Sequence, residues 1–185
     1  MKSYYYDLYR LTGKTDMGTL FRTFVRYRSF RYILYYRILC ERRNLARPFI
    51  RICSYFLHKK MSVEIPQTVK IGKGFLMIHP YCITFNSKAV VGDNFTIMKG
   101  ATIGNIKTGK REGCPVIGNN VYVGLNSTVV GGVRIGNDVL IAANTYVNFD
   151  VPDGALVIGS PGVIHLREKA SEPYINNSLT KMSTI

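Results

Sequence analysis

The sequence is poor in acidic residues and has no long apolar run, and both shortages exclude kinds of protein. Its 185 residues contain 11 Asp and Glu against 25 Lys and Arg, which gives a formal net charge of +14. No apolar run approaches the ~18 residues that cross a bilayer, so we expect no membrane-spanning helix. The first residues, Met1 to Asp7, lack the apolar core of a signal peptide. We therefore expect a cytoplasmic protein.

Metal-ligating residues are also scarce. The three histidines, His58, His79 and His165, lie far apart, and the four cysteines show no paired spacing. Zinc sites need clustered Cys and His ligands, so we predict no metal site. Free thiols are the simplest interpretation of the cysteines and suit a reducing compartment.

What the sequence does contain is a six-residue period over 117–149. The β-branched aliphatic residues at this spacing are Ile117, Val123, Val129, Ile135, Ile141 and Val147. Neither the helical period of 3.6 nor the strand period of 2 produces such a pattern. A hexapeptide repeat is typical of a parallel β-helix, in which each hexad forms one face of a three-sided prism. The aliphatic residue would point inward, and the glycine that often follows it would suit a corner with positive φ.

The period extends upstream to Ile71 with two interruptions. Two extra residues separate Ile83 from Val91, and fourteen residues instead of twelve separate Ile103 from Ile117. The second interruption covers residues 105–115, which are mostly polar. We interpret it as a loop that leaves a coil, and loops on a rigid scaffold commonly carry function.

The N-terminal third differs from the repeat in charge and composition. Residues 1–62 carry fourteen Lys or Arg and three acidic residues, and aromatic side chains alternate with the arginines. Apolar spacings of three and four predict a short helix or arm over 1–16 and a helix over 17–43. After a break at Pro48, a further helix is expected from about Phe49 to Lys60.

These patterns divide the chain into three parts: a basic helical segment over 1–62, a β-helix domain over 63–169 with its loop at 105–115, and a mobile tail over 170–185. Two interpretations of the basic segment stay open. Its apolar faces pack on the β-helix or on a neighbouring subunit, or its surface over 17–60 contacts an anionic bilayer at the inner face of the plasma membrane. No nucleic-acid-binding motif accompanies the charge, so nucleic acid is not the expected partner.

An ordered set of short segments accompanies the repeat: Glu64–Pro66, Ile71–Gly74, His79, Val91–Gly92, Thr102–Gly104, Val116–Gly118, Val123–Gly124 and Gly159–Pro161. With this set, the stretch from Val63 to Arg167 resembles the left-handed β-helix acyltransferases, in particular the serine acetyltransferases and the polysaccharide O-acetyltransferases close to them. The resemblance implies a mainly β fold, a left-handed parallel β-helix with an N-terminal α-helical segment. It also implies acetyl-CoA as acyl donor and a homotrimer or larger homo-oligomer.

The resemblance implies roles for particular residues. The histidine at the position of His79 is the family's general base, a role that a neutral imidazole can fill near physiological pH. Glu64, fifteen residues earlier, stands where the family has an Asp that assists the base, and a carboxylate can orient an imidazole. The substrate-binding residues we expect are Tyr81, Asn86, Lys110, Arg111 and Cys114. Contacts of Lys110 and Arg111 with CoA phosphates, or simple solvation, are alternatives.

The resemblance also implies a path for the cofactor along the groove between coils. The residues expected to bind acetyl-CoA are Gly104, Asn105, Gly124, Leu125, Ala143, Ser160 and Pro161, the last two near the adenine end. Small residues on this path would let the pantetheine arm approach closely, although core packing explains them equally well.

Two departures from the family affect the acceptor. Serine acetyltransferases have an acidic residue directly before the catalytic histidine and an Arg-His pair thirty-five residues after it. This chain has Ile78 and Cys114 at those places, so the ions that would hold serine are absent. We therefore predict transfer of acetyl to a sugar hydroxyl of a cell-surface polysaccharide (capsule, lipopolysaccharide or exopolysaccharide), with a lipid-linked acceptor compatible. The alternatives are a serine O-acetyltransferase of cysteine biosynthesis and an inactive β-helix scaffold at the membrane.

Overall fold

The computed structural model describes residues 1–41 and 45–182. It begins with four helices: α1 (Ser3–Thr12), α2 (Met17–Arg26), α3 (Arg28–Cys40) and α4 (Arg47–Met61). Fourteen short strands follow in the described chain. After the strands come a single 3₁₀ turn (Glu172–Tyr174) and α5 (Leu179–Met182).

The strands form three sheets around one axis. The first sheet contains β1 (Lys70–Ile71), β4 (Val90–Val91), β7 (Val116–Ile117) and β10 (Arg134–Ile135). The second contains β2 (Leu76–Ile78), β5 (Thr96–Met98), β8 (Tyr122–Val123), β11 (Leu140–Ile141), β13 (Leu156–Ile158) and β14 (Val163–His165). The third contains β3 (Thr84–Phe85), β6 (Thr102–Gly104), β9 (Thr128–Val130) and β12 (Tyr146–Val147). All pairs are parallel except β13 with β14, so the chain forms a parallel β-helix.

The six-residue period corresponds to the core of this β-helix. All six repeat residues over 117–149 are at most 2% exposed. Ile117 pairs with Ile135, and Val123 with Ile141, so each residue stacks on the one eighteen positions away. Burying an aliphatic side chain of this size contributes about 1.5–3 kcal/mol, and this repeated burial stabilises the stack. The predicted inward positions are confirmed.

The corner glycines serve a different purpose from the one predicted. Gly118 does not have a positive φ, whereas the nearby corner residues Asn120 and Asp138 do. A Cβ added to Gly118 would lie 2.8 Å from the backbone of Gly136 in the next coil. These glycines therefore permit close approach between coils, and the expectation of positive φ is wrong for them. The left-handed turns fall on Asn and Asp, which tolerate them and form a ladder in which Asn120 Nδ2 donates to Asp138 Oδ1 at 2.9 Å.

The loop over 105–115 leaves the third sheet as a narrow hairpin. Ile106 and Gly113 form an isolated antiparallel bridge with reciprocal N–H···O distances of 3.1 and 3.0 Å. The polar residues between them form the tip. The predicted excursion from a coil is confirmed.

The helix predicted over 17–43 is wrong as a single element. Tyr27 is extended, with φ −108° and ψ 111°, and separates α2 from α3. No Gly or Pro marks this break, because it serves tertiary packing: Thr23 before it and Phe30 after it are both buried. Residues 42 and 43 of the prediction lie outside the described residues. The second predicted helix corresponds to α4, with Pro48 in its first turn, where a missing N–H costs nothing.

Helix α3 packs on the first coil of the β-helix. The hydroxyl of Tyr32 donates to the carbonyl of Val63 at 3.0 Å, and that of Tyr36 to the carbonyl of Val69 at 2.6 Å. Both rings belong to the same hydrophobic core as the coils. The helical segment is therefore continuous with the β-helix core, as the first interpretation of the basic segment expects. No helix among the described residues has the length and apolarity to cross a bilayer.

The C-terminal segment packs against the coils. Ile175 and Ser178 are buried, and Leu179 N–H donates to Asn94 Oδ1 at 3.1 Å. Asn177 Nδ2 donates to the carbonyl of Arg10 in α1. This packing corrects the mobile tail predicted over 170–185, as far as residue 182. The polar composition suggested a tail because the coil asparagines that bind it are distant in sequence.

Candidate active site

His79 occupies a corner of the β-helix directly after β2. It is exposed, and its φ of 51° places it in the left-handed region, which is uncommon for residues other than glycine. The turn is fixed by a hydrogen bond from Tyr81 N–H to the carbonyl of His79 at 2.8 Å. A rigid corner thus holds an imidazole in contact with solvent, as a proton acceptor requires.

A cleft of about 1080 Å³ opens beside this corner. One wall is β2 with His79 and Tyr81, and a second is the junction of α2 and α3, including Arg26 and Arg28. The third wall comes from the C-terminal segment, with Glu172 exposed on it. Arg28 Nη1 lies 3.5 Å from the hydroxyl of Tyr81, so the predicted Tyr81 lines the same cavity as His79.

Glu64 lies apart from His79 within one chain. It forms a bridge with Thr84 of the third sheet, and it lines a separate cavity of about 450 Å³ beside His58 and Arg51. The two predicted catalytic residues do not line a common cavity. An orienting role for Glu64 stays a prediction.

A cluster of predicted residues forms at the corner that follows the third sheet. Asn86 Nδ2 donates to Asn105 Oδ1 at 3.0 Å, and the thiol of Cys114 donates to Asn86 Oδ1 at 3.1 Å. The structure thus brings together two predicted acceptor residues and one predicted cofactor residue. They lie at a different corner of the prism from His79.

The two basic residues at the hairpin tip differ. Lys110 is exposed, whereas Arg111 Nη1 forms an ion pair with Asp150 Oδ2 at 3.0 Å. The N–H of Arg134 and the Arg111 guanidinium together lower the pKa of Asp150. Arg111 therefore already has an anionic partner from the last coil.

A groove of about 580 Å³ contains three of the predicted cofactor residues, Gly124, Leu125 and Ala143. Ala142, Tyr174 and Arg167 also line it. A Cβ on Gly124 would lie 2.7 Å from the amide nitrogen of Ala143, so the floor is made of closely stacked backbone. A thin, flexible chain such as a pantetheine arm fits such a floor.

The remaining predicted cofactor residues do not line this groove. Gly104 ends β6 at the Asn105 corner, where a Cβ would contact Val130. Ser160 and Pro161 are exposed and follow β13. Within the ranges 1–41 and 45–182, no group of three His, Cys, Asp or Glu residues could hold a metal ion.

Sequence reasoning missed two walls of the His79 cleft. The first is the α2–α3 junction with Arg26, Tyr27 and Arg28, and the second is residues 172–177. Only the density of arginine in the helical segment pointed to the first. Nothing in the sequence indicated the second, because its position depends on contacts with distant coils.

Comparison with known proteins bears on this site. Residues 114–148 match the bacterial transferase hexapeptide (six repeats) family. A serine acetyltransferase of Helicobacter pylori (strain ATCC 700392 / 26695) is 33% identical over 131 residues, which span 66% of this chain and 75% of that protein. This chain belongs to the hexapeptide-repeat transferase family. The predicted acetyltransferase class is confirmed by this membership, and an inactive scaffold is not what these relatives suggest.

Further members of the family agree on the fold. The solved serine acetyltransferase of Neisseria gonorrhoeae superposes with a TM-score of 0.69 at 29% identity, over 90% of this chain and 66% of that one. The left-handed parallel β-helix is thereby confirmed. The putative colanic acid biosynthesis acetyltransferase WcaB of Escherichia coli (strain K12) is 42% identical over 96 residues, 52% of this chain and 59% of that protein.

The relatives differ in the acceptor that their names indicate. Serine acetyltransferases stand at both the sequence and the structural level of comparison, whereas the polysaccharide acceptor comes from WcaB and its near-identical counterparts. The comparisons thus support serine, the alternative, better than the sugar predicted from the sequence.

Proposed function

We propose that this chain is an acetyl-CoA-dependent O-acetyltransferase with His79 as general base. The observation that carries the proposal is the exposed His79, held in a left-handed turn inside a cleft, in a chain whose relatives are acetyltransferases. In the reaction, His79 accepts the proton of the acceptor hydroxyl. The hydroxyl oxygen bonds to the acetyl carbon, the carbon–sulfur bond breaks, and the proton passes to the departing thiolate.

The donor would lie in the groove that contains Gly124, Leu125 and Ala143. Its backbone floor admits a thin chain, and Arg167 on the rim offers a cation for the CoA phosphates. The groove and the His79 cleft share Pro173 as a lining residue, which supports a continuous path between donor and acceptor.

We also propose a homotrimer, in which adjacent subunits complete the site. The Asn86–Asn105–Cys114 cluster and His79 lie at different corners of one prism, so one chain cannot bring them together. Packing of prisms around a threefold axis places a corner of one subunit against a different corner of the next. In such an assembly, Lys110 and Cys114 would approach the partner's acceptor cleft.

Serine is the acceptor that the relatives favour. A sugar hydroxyl is a second candidate because of two specific residues. Ile78 and Cys114 carry no charge where an amino acid needs ionic partners, and the relative at 42% identity is a putative colanic acid biosynthesis acetyltransferase. Membrane contact through 17–60 would suit a lipid-linked acceptor: Phe21, Val25, Ile52 and Phe56 of α2 and α4 are exposed.

The test is CoA release from acetyl-CoA with serine and with a panel of cell-surface oligosaccharides as acceptors. We expect His79→Ala to lower turnover ~10²-fold or more, the size expected for losing a general base. His165→Ala is the matched control, because His165 is exposed on β14 outside the cleft. Unchanged turnover in His79→Ala would contradict the assignment, and the acceptor that supports release decides between serine and sugar.

A further inference from the structure

The cleft beside His79 is larger than an amino acid requires. Its volume of about 1080 Å³ is at the upper end of the roughly 300–1,000 Å³ of sites for drug-sized ligands. His79 occupies one wall, so most of the cleft lies beyond the reacting hydroxyl. The acceptor can therefore carry a substantial group at a distance from the atom that is acetylated.

The wall provided by the helices is strongly cationic. Arg26 and Arg28 are exposed at the α2–α3 junction, and neither forms an ion pair within residues 1–41 and 45–182. Arg10 lies deeper in the same cleft, where burial lowers its pKa to about 10, so that it is charged at neutral pH. The acidic residue among the lining residues is Glu172, on the opposite wall.

The deepest of these cations is already fixed, whereas the two at the rim are free to bind. Arg10 donates to the carbonyl of Gly74 at 3.2 Å, to Thr96 Oγ1 at 2.7 Å and to the carbonyl of Asn176. Arg26 lies 5.7 Å from the centre of the Tyr27 ring, and Arg28 makes only the long contact to Tyr81. Their guanidinium groups thus keep most of their donors available.

Between the two arginines, the N-terminus of α3 faces the same cleft. Helix α3 has thirteen residues, and no side chain caps its N-terminus at Tyr27. Its second residue, Ser29, is 9% exposed and makes no hydrogen bond within the described chain. Because every fully buried side-chain nitrogen or oxygen among the described residues has a partner, the Ser29 hydroxyl must be open to the cleft that it lines.

We propose that Arg26, Arg28, Ser29 and the first amides of α3 form a subsite for a phosphate group of the acceptor. Guanidinium groups bind phosphate oxygens through two parallel hydrogen bonds, and helix N-termini favour anions. The inference rests on the proposed acetyl transfer and specifies its substrate class: a sugar that carries a phosphate or diphosphate. Serine fits this subsite poorly, because its ammonium group would face three guanidinium groups.

The first experiment measures binding and needs no acetyl transfer. Inorganic pyrophosphate is titrated into the full chain by calorimetry, and we expect binding that weakens at least about tenfold in Arg26→Gln/Arg28→Gln, since each charge-assisted hydrogen bond contributes measurably. The matched control is Arg22→Gln/Lys60→Gln, which removes the same charge from exposed positions outside the cleft. Ser29→Ala, which removes only a hydroxyl, should weaken binding by a smaller factor. Equal affinity in wild type and the cleft variant, or equal loss in the control, would overturn the subsite.

The second experiment measures CoA release with one sugar in three forms: free, linked to a nucleotide through diphosphate, and linked to a polyprenyl diphosphate in lipid vesicles. We expect the free sugar to be the poorest acceptor, and the better of the other two identifies the source of the phosphate. Efficient acetylation of the free sugar would overturn the inference while leaving the acetyl transfer intact. Arginine-dependent pyrophosphate binding without transfer to any acceptor would leave the subsite standing and refute the proposed function.

Discussion

Over residues 117–149, the interior of the molecule is filled by aliphatic side chains stacked one coil apart, whereas the interior at its helical base contains charged and hydroxyl groups. In the coils, neighbours in space are eighteen residues apart and chemically alike, as Ile117 on Ile135 shows. At the base, the carboxylate of Asp7 and the guanidinium of Arg37 meet from thirty positions apart. The coils are thus specified by repetition, and the base by individual polar contacts.

The polar base is fully connected. Arg37 Nε donates to Asp7 Oδ2 at 2.8 Å and Arg37 Nη1 to the carbonyl of Ile71 at 2.7 Å. Asp7 Oδ1 also accepts the N–H of Phe75 at 2.8 Å. Burial opposes the charge of Arg37, but the Asp7 carboxylate outweighs burial and raises the pKa of Arg37. This network joins α1, α3 and the first coil, and it positions the helical wall of the His79 cleft.

The largest predicted effect tests the base. Asp7→Ala leaves a buried guanidinium without its partner, and breaking such a pair costs about 3–5 kcal/mol. We expect the free energy of unfolding, measured with denaturant at fixed protein concentration, to fall by that amount. Asp7→Asn, which keeps the shape, should lose less. A loss below that of an exposed substitution would show that the network does not hold the base together.

The next effect tests the coils. Ile141 is fully buried, and Ile141→Ala should cost about 2–5 kcal/mol through lost burial and a cavity. Ile141→Val, the matched control, should cost only about 0.5–1.5 kcal/mol because it removes a single methylene. Similar losses for the two variants in denaturant unfolding would mean that the coils relax around the cavity. The aliphatic stack would then be less tightly packed than its burial implies.

The smallest effect sharpens the contrast between buried and exposed ion pairs. Arg111→Ala removes the pair with Asp150, in which the side chains are 38% and 57% exposed. Exposed pairs contribute about 0–1 kcal/mol, and added salt should diminish even this difference. A loss as large as that of Asp7→Ala would show that the hairpin, like the base, depends on a single charge contact.

These contrasts explain which parts of the fold could be predicted. The inward positions from Ile71 to Val147 followed from a period that a single pass along the sequence reveals. The break at Tyr27 could not be predicted, because it satisfies the packing of Thr23 and Phe30 and leaves no local signal. The packed C-terminal segment was missed because Asn94, which holds it, lies more than eighty residues earlier.

The site divides in the same way. His79 and Tyr81 could be identified from sequence, and both line one cleft. The pairing of Glu64 with His79 and the acceptor role of Cys114 stay predictions, since in one chain these groups lie at separate positions. The cations Arg26 and Arg28 came from a segment in which sequence alone suggested only a basic surface.

By itself, the sequence determined the β-helix, because a six-residue period of aliphatic side chains can be buried in only one regular way. It also determined the net charge and the presence of one histidine within the repeat. The tertiary structure decided what surrounds that histidine. The helical base and the C-terminal segment reach the His79 corner through buried hydrogen bonds and ion pairs between residues far apart in the chain, and such contacts depend on geometry that no local pattern encodes.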